Sequence, residues 1–136
     1  ARQFGADAVL LIARILKIEE IEKLLSEAKK LGVDCLVEIH SNEDLKKVLE
    51  TSAEIIGINS RNLDTLEIDS KKFSSLLPKI PEKKIIVAES GIESREDLKK
   101  LSGKADAALV GTAILNSKNI EAKLLELTSL KNEAGN

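Results

Sequence analysis

Several residue types that anchor common protein folds are scarce in this 136-residue sequence. Aromatic residues make up 1%, with two phenylalanines and no tryptophan or tyrosine, and methionine is absent. A hydrophobic core must therefore be built from leucine, isoleucine, valine and alanine. The single cysteine, Cys35, excludes an internal disulfide and is interpreted as a core thiol, which fits a reducing, cytoplasmic setting.

Features of membrane proteins, nucleic-acid-binding proteins and metalloproteins are also missing. The longest apolar runs span about six to nine residues, well short of the ~20 that a membrane helix needs, and no signal peptide is visible. The formal net charge is -2 and the lysines and arginines form no basic block, so nucleic acid is not an expected partner. No cysteine and histidine residues have metal-ligand spacing, and we expect no metal.

Short apolar runs alternate with amphipathic segments along the whole chain. With 43% hydrophobic and 32% charged residues, the composition is typical of one globular domain, which we assign to residues 1–136. Five apolar runs recur about every 20 to 30 residues, the repeat of a βα unit. These runs are Ala8–Ala13, Cys35–Ile39, Ile55–Ile58, Ile85–Ala88 and Ala107–Val110. Their near-continuous apolar character predicts strands buried on both faces, as in a parallel sheet.

The intervening segments have helical periodicity. Apolar residues share one face of the segment Glu20–Leu31, and Gly32 follows as a C-terminal cap. Ser41 and Ser94, each with an aspartate three residues later, predict the starts of two further helices in a pattern close to the capping box. Shorter helices are predicted around Phe73–Leu77 and Ile120–Leu127, before a polar tail, Lys131–Asn136, that is expected to fray.

Five consecutive βα units are compatible with two α/β architectures. One is an open, flavodoxin-like five-stranded sheet, and the other is a portion of a closed (β/α)8 barrel. The periodicity alone does not separate them.

Polar side chains collect at the carboxyl ends of the predicted strands, where parallel α/β folds bind ligands. Because strand side chains alternate between faces, Glu38, Asn59, Arg61 and Glu89 are predicted to point inward together. Burying two unpaired carboxylates would be costly, so their convergence indicates catalysis on a polar substrate. A single strand glutamate is often solvent-facing, which is the simpler interpretation of Glu38 alone. His40 would share the inward face, although its simplest interpretation is a residue that ends the strand.

Small residues follow the last two strands. Ser90 and Gly91 come after the fourth strand, and Gly111 and Thr112 come after the fifth. Small residues let backbone N–H groups approach an anion, and barrels commonly hold a phosphate at their last two strand loops. Together the two pairs predict a phosphate site.

Five sequence blocks carry a family resemblance. The blocks GADAVLLIARIL, LVEIH, IIGINSRNLDTLEID, VAESGI and ALVGTAIL are similar in order and spacing to indole-3-glycerol-phosphate synthases, from Gly5 to about Leu127. In that family these segments are the fourth to eighth strands of the barrel. The resemblance therefore implies a partial (β/α)8 barrel of five parallel βα units.

The resemblance also implies a role for each polar strand end. Glu38 matches a glutamate that is a candidate general base in indole ring formation, and Asn59 matches an asparagine that orients the substrate. Arg61 matches an arginine in the anthranilate region, and Glu89 matches a glutamate that positions the catalytic groups. The substrate-phosphate site would comprise Ser90, Gly91, Gly111 and Thr112.

The implied activity is that of a carbon–carbon lyase. The family closes and decarboxylates 1-(2-carboxyphenylamino)-1-deoxyribulose 5-phosphate to indole-3-glycerol phosphate, in tryptophan biosynthesis and without a cofactor. The family also uses a glutamate and a lysine on the first strand and a lysine, the candidate general acid, on the third. This sequence contains none of those strands. Because a missing acid costs roughly 10²- to 10⁴-fold in rate, we expect this chain alone to be inactive.

Five strands taken from a closed barrel would have two apolar edges, which are templates for pairing with another chain. The chain would then associate with the missing N-terminal barrel segment, associate with itself, or relax into the open sheet.

Two other functions are weighed against the synthase. A different phosphate-binding barrel enzyme would share the phosphate site without explaining the INSRNLD motif. A non-catalytic folding or assembly fragment of such a barrel would keep the strand-end residues as relics.

Overall fold

Five parallel strands form one sheet in which each strand pairs with the next one along the chain. The structure is a computed structural model, and it describes residues 1–62 and 65–129. The strands are β1 (Ala8–Ile12), β2 (Asp34–Ile39), β3 (Ile55–Asn59), β4 (Ile85–Glu89) and β5 (Ala107–Leu109). All five lie within about a residue of the predicted apolar runs.

Helices connect and follow the strands. The α-helices of the described residues are α1 (Ile18–Lys30), α2 (Asn42–Leu49), α3 (Ser70–Leu76), α4 (Arg95–Leu101), α5 (Thr112–Leu115) and α6 (Ile120–Thr128). Short 3-10 segments lie at Arg2–Phe4, Ala13–Ile15 and Leu77–Lys79. The four-residue α5 was not predicted, and the predicted frayed tail lies outside the described residues. Within the described part, no helix has the length and apolar character needed to cross a membrane.

The strand order decides between the two predicted architectures. A flavodoxin-like sheet places its first strand between the second and third, because the chain reverses direction at a switch point. Here the order is β1-β2-β3-β4-β5, with every pair parallel. Sequential parallel pairing of this kind is the arrangement of neighbouring strands in a (β/α)8 barrel. The fold is therefore a partial barrel rather than the open alternative.

One face of the sheet is the hydrophobic core. Val37, Ile39, Ile56 and Ile58 are 0% exposed, and α1, α2 and α3 pack against their strands. The opposite face, which would be the barrel interior, carries the polar strand ends at its carboxyl edge. Further down that face Leu10 and Ile85 are 46% and 47% exposed. The two faces match the alternation predicted from the sequence.

The edge strands differ from the prediction that strands are buried on both faces. All three residues of β5 are exposed, and in β1 only Leu11 is buried. Each of these strands has a hydrogen-bonded neighbour on one side only. An apolar run predicts that a strand would be stabilised by burial. Whether the strand is buried depends on which other elements pack against it.

Local capping explains where two of the helices begin. Ser94 Oγ accepts a hydrogen bond from Asp97 N–H at the start of α4, and the Asp97 carboxylate accepts one from Ser94 N–H, so this capping box is confirmed. Ser41 caps α2 in the same way, at 3.1 Å from Asp44 N. Asp44, however, accepts from His40 N–H instead of completing the box. That bond fixes the backbone at the end of β2.

Candidate active site

Three polar side chains from three neighbouring strands meet at the carboxyl end of the sheet. Glu38, Asn59 and Glu89 are 5%, 8% and 3% exposed. Asn59 Nδ2 donates to Glu38 Oε2 at 3.0 Å. Asn59 Oδ1 accepts from Arg61 N–H at 2.9 Å, which fixes the orientation of the amide. The predicted convergence of these three residues is present in the structure, and the solvent-facing interpretation of Glu38 is wrong.

Gly57 makes the approach of the two carboxyl groups possible. It lies in the interior of β3 between Glu38 on β2 and Val87 on β4. A Cβ atom at this position would overlap with Glu89 Oε1. The absence of a side chain therefore lets the Glu89 carboxyl group lie across β3 towards Glu38. Strand alternation predicted that Gly57 lies on the inward face but assigned it no role. A glycine inside a strand often marks a site where another group approaches the backbone closely.

The pair of carboxyl groups retains a proton at neutral pH. Burial, followed by a hydrogen bond to Glu38 and the charge of Glu38, together raise the pKa of Glu89 to about 8. Glu89 is consequently protonated near pH 7 and donates to Glu38. One carboxylic acid beside one hydrogen-bonded carboxylate can exchange protons with a substrate.

His40 adds a fourth polar group that the sequence interpretation treated only as the end of the strand. Its Nε2 lies 3.2 Å from Glu38 Oε1, and its side chain is 5% exposed. Burial is the main reason that the pKa of His40 lies below the usual value, while the charges of Glu38 and Asp44 oppose that shift. The imidazole is therefore neutral at pH 7.

The eight predicted site residues all border one open cleft of about 410 Å³. They are Glu38, Asn59, Arg61, Glu89, Ser90, Gly91, Gly111 and Thr112. Arg61 is half-buried, and its Nη1 donates to Leu66 O at 2.9 Å. The cleft is thus lined by small residues, by the carboxyl groups of Glu38, Glu89 and Glu93, and by the guanidinium of Arg61, which suits an anionic group of a small molecule.

The backbone at the end of β4 has an unusual conformation. Ser90 and Gly91 have φ angles of 64° and 74°, and side chains other than glycine adopt such angles at a cost of about 1 kcal/mol or more. A Cβ atom on Gly91 would also come within 2.8 Å of Ile68 Cγ2. Gly91 is therefore required both by the left-handed turn and by Ile68, which borders the same cleft.

Two other expectations concern groups outside the cleft. Cys35 is buried and free, and burial raises the pKa of its thiol, the opposite of what a reactive cysteine needs. Among the described residues, no three histidine, cysteine, aspartate or glutamate side chains are grouped so that they could hold a metal ion.

Fold and site together define a class of protein. A sequentially ordered parallel sheet with helices on one face, and a polar cleft at its carboxyl edge, is part of a (β/α)8-barrel enzyme. The sequence model for indole-3-glycerol phosphate synthase matches residues 1–127, and the chain belongs to that family.

Curated relatives agree with this assignment. The chain is 46% identical to an indole-3-glycerol phosphate synthase of Dehalococcoides mccartyi over 128 residues, which cover 93% of this chain and 49% of that protein. For the same enzyme of Campylobacter jejuni the identity is 47% over 124 residues, covering 90% and 48%. For that of Acetivibrio thermocellus it is 42% over 131 residues, covering 96% and 50%. The chain spans about half the length of these relatives.

Solved structures show the same fold at low sequence identity. A 3-hexulose-6-phosphate synthase from Salmonella typhimurium superposes with a TM-score of 0.79 at 18% identity, covering 94% of this chain and 63% of that one. A tryptophan synthase from M. tuberculosis superposes with a TM-score of 0.64 at 19% identity, covering 83% and 46%. These TIM-barrel neighbours support the partial barrel and, at such identities, nothing beyond the fold.

Proposed function

We propose that this chain contributes the strand-end residues of an indole-3-glycerol-phosphate synthase active site. The reaction would be the ring closure and decarboxylation of 1-(2-carboxyphenylamino)-1-deoxyribulose 5-phosphate. The observation that carries the proposal is the contact of Glu38, Asn59 and Glu89 at one cleft. Family membership supports it, since the matched relatives bear this enzyme's name.

Within this proposal Glu38 is the general base. Its Oε2 is held by Asn59, which leaves the carboxylate in one orientation for proton abstraction. Glu89, protonated at neutral pH, positions Glu38 by donating to it and is available to return a proton. Asn59 thus orients the carboxylate of Glu38 by a direct hydrogen bond, and it also borders the cleft where the substrate would lie.

Arg61 and the small residues would bind the charged ends of the substrate. Arg61 presents a guanidinium at the cleft, which suits the carboxylate of the anthranilate portion. Ser90, Gly91, Gly111 and Thr112 border the same cleft on the side of β4 and β5. Two of the four lack a side chain, so that backbone N–H groups could approach a phosphate oxygen. A sugar phosphate would then span the cleft, with its reacting carbons near Glu38.

We further propose that the chain needs a second polypeptide segment for activity. By family resemblance the general acid and two more catalytic residues lie on the first and third barrel strands, which are outside the matched half of the relatives. Without a general acid positioned at the substrate, the 136-residue chain would have a turnover rate at least roughly 10²-fold lower than that of a completed barrel. The second segment would pair with the free edges of β1 and β5.

A complementation assay tests the proposal. The chain is mixed with the first three βα units of the Dehalococcoides mccartyi relative, and formation of indole-3-glycerol phosphate is followed by its indole fluorescence. We expect product from the mixture, little from either part, and none from a mixture containing Glu38→Gln. The control is Ser75→Ala, a substitution of an exposed residue, which should leave the rate of product formation unchanged. A mixture that co-sediments as a complex but forms no product would contradict the proposed activity and favour an assembly fragment.

A further inference from the structure

His40 has no role in the proposed reaction, yet it is one of the most buried polar side chains of the site. The imidazole is 5% exposed. Neither ring nitrogen has a hydrogen bond within the described part of the chain. Buried side-chain polar atoms nearly always have a partner, so the position of this ring requires an explanation.

The nearest acceptor is the carboxylate of Glu38. His40 Nε2 lies 3.2 Å from Glu38 Oε1, a distance within hydrogen-bond reach although the ring N–H is not aligned with the oxygen. The other oxygen, Oε2, is already held by Asn59. Hydrogen bonds between catalytic groups often become well aligned only when substrate binds. A small rotation of the imidazole would complete the second bond.

The backbone holds the ring in place for this contact. His40 N–H donates to Asp44 Oδ2 at 2.9 Å, and Asp44 N–H donates in turn to the cap residue Ser41. Asp44 is 5% exposed and sits in the first turn of α2. The start of α2 therefore anchors the residue that faces Glu38.

A second cleft lies on another side of His40. It has a volume of about 450 Å³, and Arg14, Lys47 and Lys72 are among its lining residues. The charged groups that act on the ring come from each neighbouring element: Glu38 from β2, Asp44 from α2, Lys72 from α3 and Arg14 from the segment after β1. Because Nε2 is the ring nitrogen that faces the carboxylate oxygen Glu38 Oε1, a neutral imidazole that bonds there carries its ring proton on Nε2.

We propose that His40 is a positioning residue for Glu38, donating its Nε2–H to Oε1 so that Asn59 and His40 each hold one carboxylate oxygen. This inference rests on the proposed function, in which Glu38 is the base. The orientation of the base would then be fixed from two strands, β2 and β3, before substrate arrives. Such fixation matters because misplacing a catalytic group by about 1 Å costs on the order of 10²-fold in rate.

The first test needs no activity and no substitution. Nitrogen NMR of the full chain, labelled at histidine, assigns the tautomer directly, since His40 is its only histidine. We expect the Nε2–H tautomer at pH 7. The Nδ1–H tautomer would leave Nε2 unable to donate and would overturn the proposal.

The second test compares two substitutions. His40→Gln places an amide donor where Nε2 lies, whereas His40→Leu fills a similar volume without a donor. Titration of the Glu89 carboxyl carbon by NMR should show a midpoint displaced upward by about one pH unit in His40→Leu and restored in His40→Gln, because Glu89 shares its proton with Glu38. Equal midpoints in wild type and His40→Leu, or no restoration by glutamine in a folded protein, would each refute the role.

The complemented enzyme gives a third readout. In the mixture with the first three βα units, His40→Leu should lower kcat by on the order of 10²-fold with little change in KM, and His40→Gln should recover most of the loss. If the wild-type mixture forms no product, the proposed function fails, but the tautomer and the titrations still decide whether His40 holds Glu38.

Discussion

At the scale of single residues, Gly57 and Glu89 are fitted to each other across two strands. The carboxyl group of Glu89 occupies the space where a Cβ atom of residue 57 would lie. Gly57→Ala should therefore displace Glu89 and destabilise the protein by about 1–3 kcal/mol, as measured by urea unfolding. Gly111→Ala is the control, because a Cβ atom there would contact nothing within 4 Å.

A double-mutant cycle separates this clash from a general cost of adding a methyl group. In a Glu89→Ala background the carboxyl group is gone, so Gly57→Ala should cost little. The same cost in both backgrounds would show that Glu89 is not the group that glycine accommodates.

The proton on Glu89 makes stability depend on pH. The pKa of Glu89 is about 8 in the folded chain against an ordinary value of 4.5, so the folded state binds more protons between those values. The contribution of protonated Glu89 to the free energy of unfolding is complete below pH 4.5 and is lost as pH rises through 8. Glu89→Gln stays neutral and can still donate to Glu38. It should therefore remove a fall in unfolding free energy on the order of a few kcal/mol between pH 5 and pH 9.

Urea unfolding at several pH values checks this expectation. The matched control is Glu82→Gln, which changes an exposed carboxylate and should leave the pH dependence of the wild type intact. Parallel curves for the wild type and Glu89→Gln would mean that Glu89 is not the group that loses stability.

The sequence predicts which residues point inward but not what they contact. Alternation along each strand was sufficient to place Glu38, Asn59 and Glu89 on one face. Their bonds depend on register, in which Glu38 lies beside Gly57 and Asn59 beside Glu89. Register between strands some twenty to thirty residues apart depends on packing of the whole sheet, so neither the contact with His40 nor the raised pKa of Glu89 was predictable.

At the scale of elements, α4 depends on its first turn. Ser94 Oγ caps Asp97 N–H, and Asp97 accepts from Ser94 and from Lys100. The hydrogen bond from Lys100, followed by that from Ser94, lowers the pKa of Asp97 to about 2. Ser94→Ala should therefore destabilise the protein by about 1 kcal/mol at pH 7 and move the pKa of Asp97 back towards its usual value.

Thermal or urea unfolding measures the first effect, and carboxyl NMR measures the second. Ser75→Ala is the matched control, because Ser75 is exposed within α3 and its Oγ donates to Lys72 O in the preceding turn. If both serine substitutions had equal effects, the cost would not come from the cap.

Helix starts were more predictable than helix neighbours. The serine and aspartate spacing located α2 and α4 because a cap is formed within four residues. The same spacing was misleading about Asp44, whose carboxylate bonds one residue further back, at His40. The short α5 lacks a side-chain cap, and its four residues are too few for a helical period to be visible.

At the scale of the whole molecule, the sheet has two free edges and one partly uncovered face. Repeats in the sequence predicted five βα units, but only the observed strand order separates a partial barrel from a flavodoxin-like sheet. The order is decided by which strands pair, and each apolar run is equally able to pair with any other. For the same reason we expect the free edges of β1 and β5 to accept a strand from outside the chain.

We therefore expect the purified chain to associate through these edges. Sedimentation should show species larger than a monomer, and adding the first three βα units of a relative should convert them to a one-to-one complex. Leu10→Lys should weaken both interactions, because Leu10 lies on the edge strand β1, 46% exposed, on the face that a completed barrel would bury. A buried lysine without a partner is costly, whereas one facing water is not.

Leu31→Lys tests whether the edge or surface hydrophobicity in general drives the association. Leu31 is 56% exposed, but it follows the end of α1 rather than lying in the sheet. A substitution there should leave the sedimentation profile unchanged. If Leu10→Lys and Leu31→Lys reduce association equally, the association depends on surface hydrophobicity in general and not on the edge strand. If the chain sediments as a monomer both alone and with the added βα units, the edges of β1 and β5 do not accept strands.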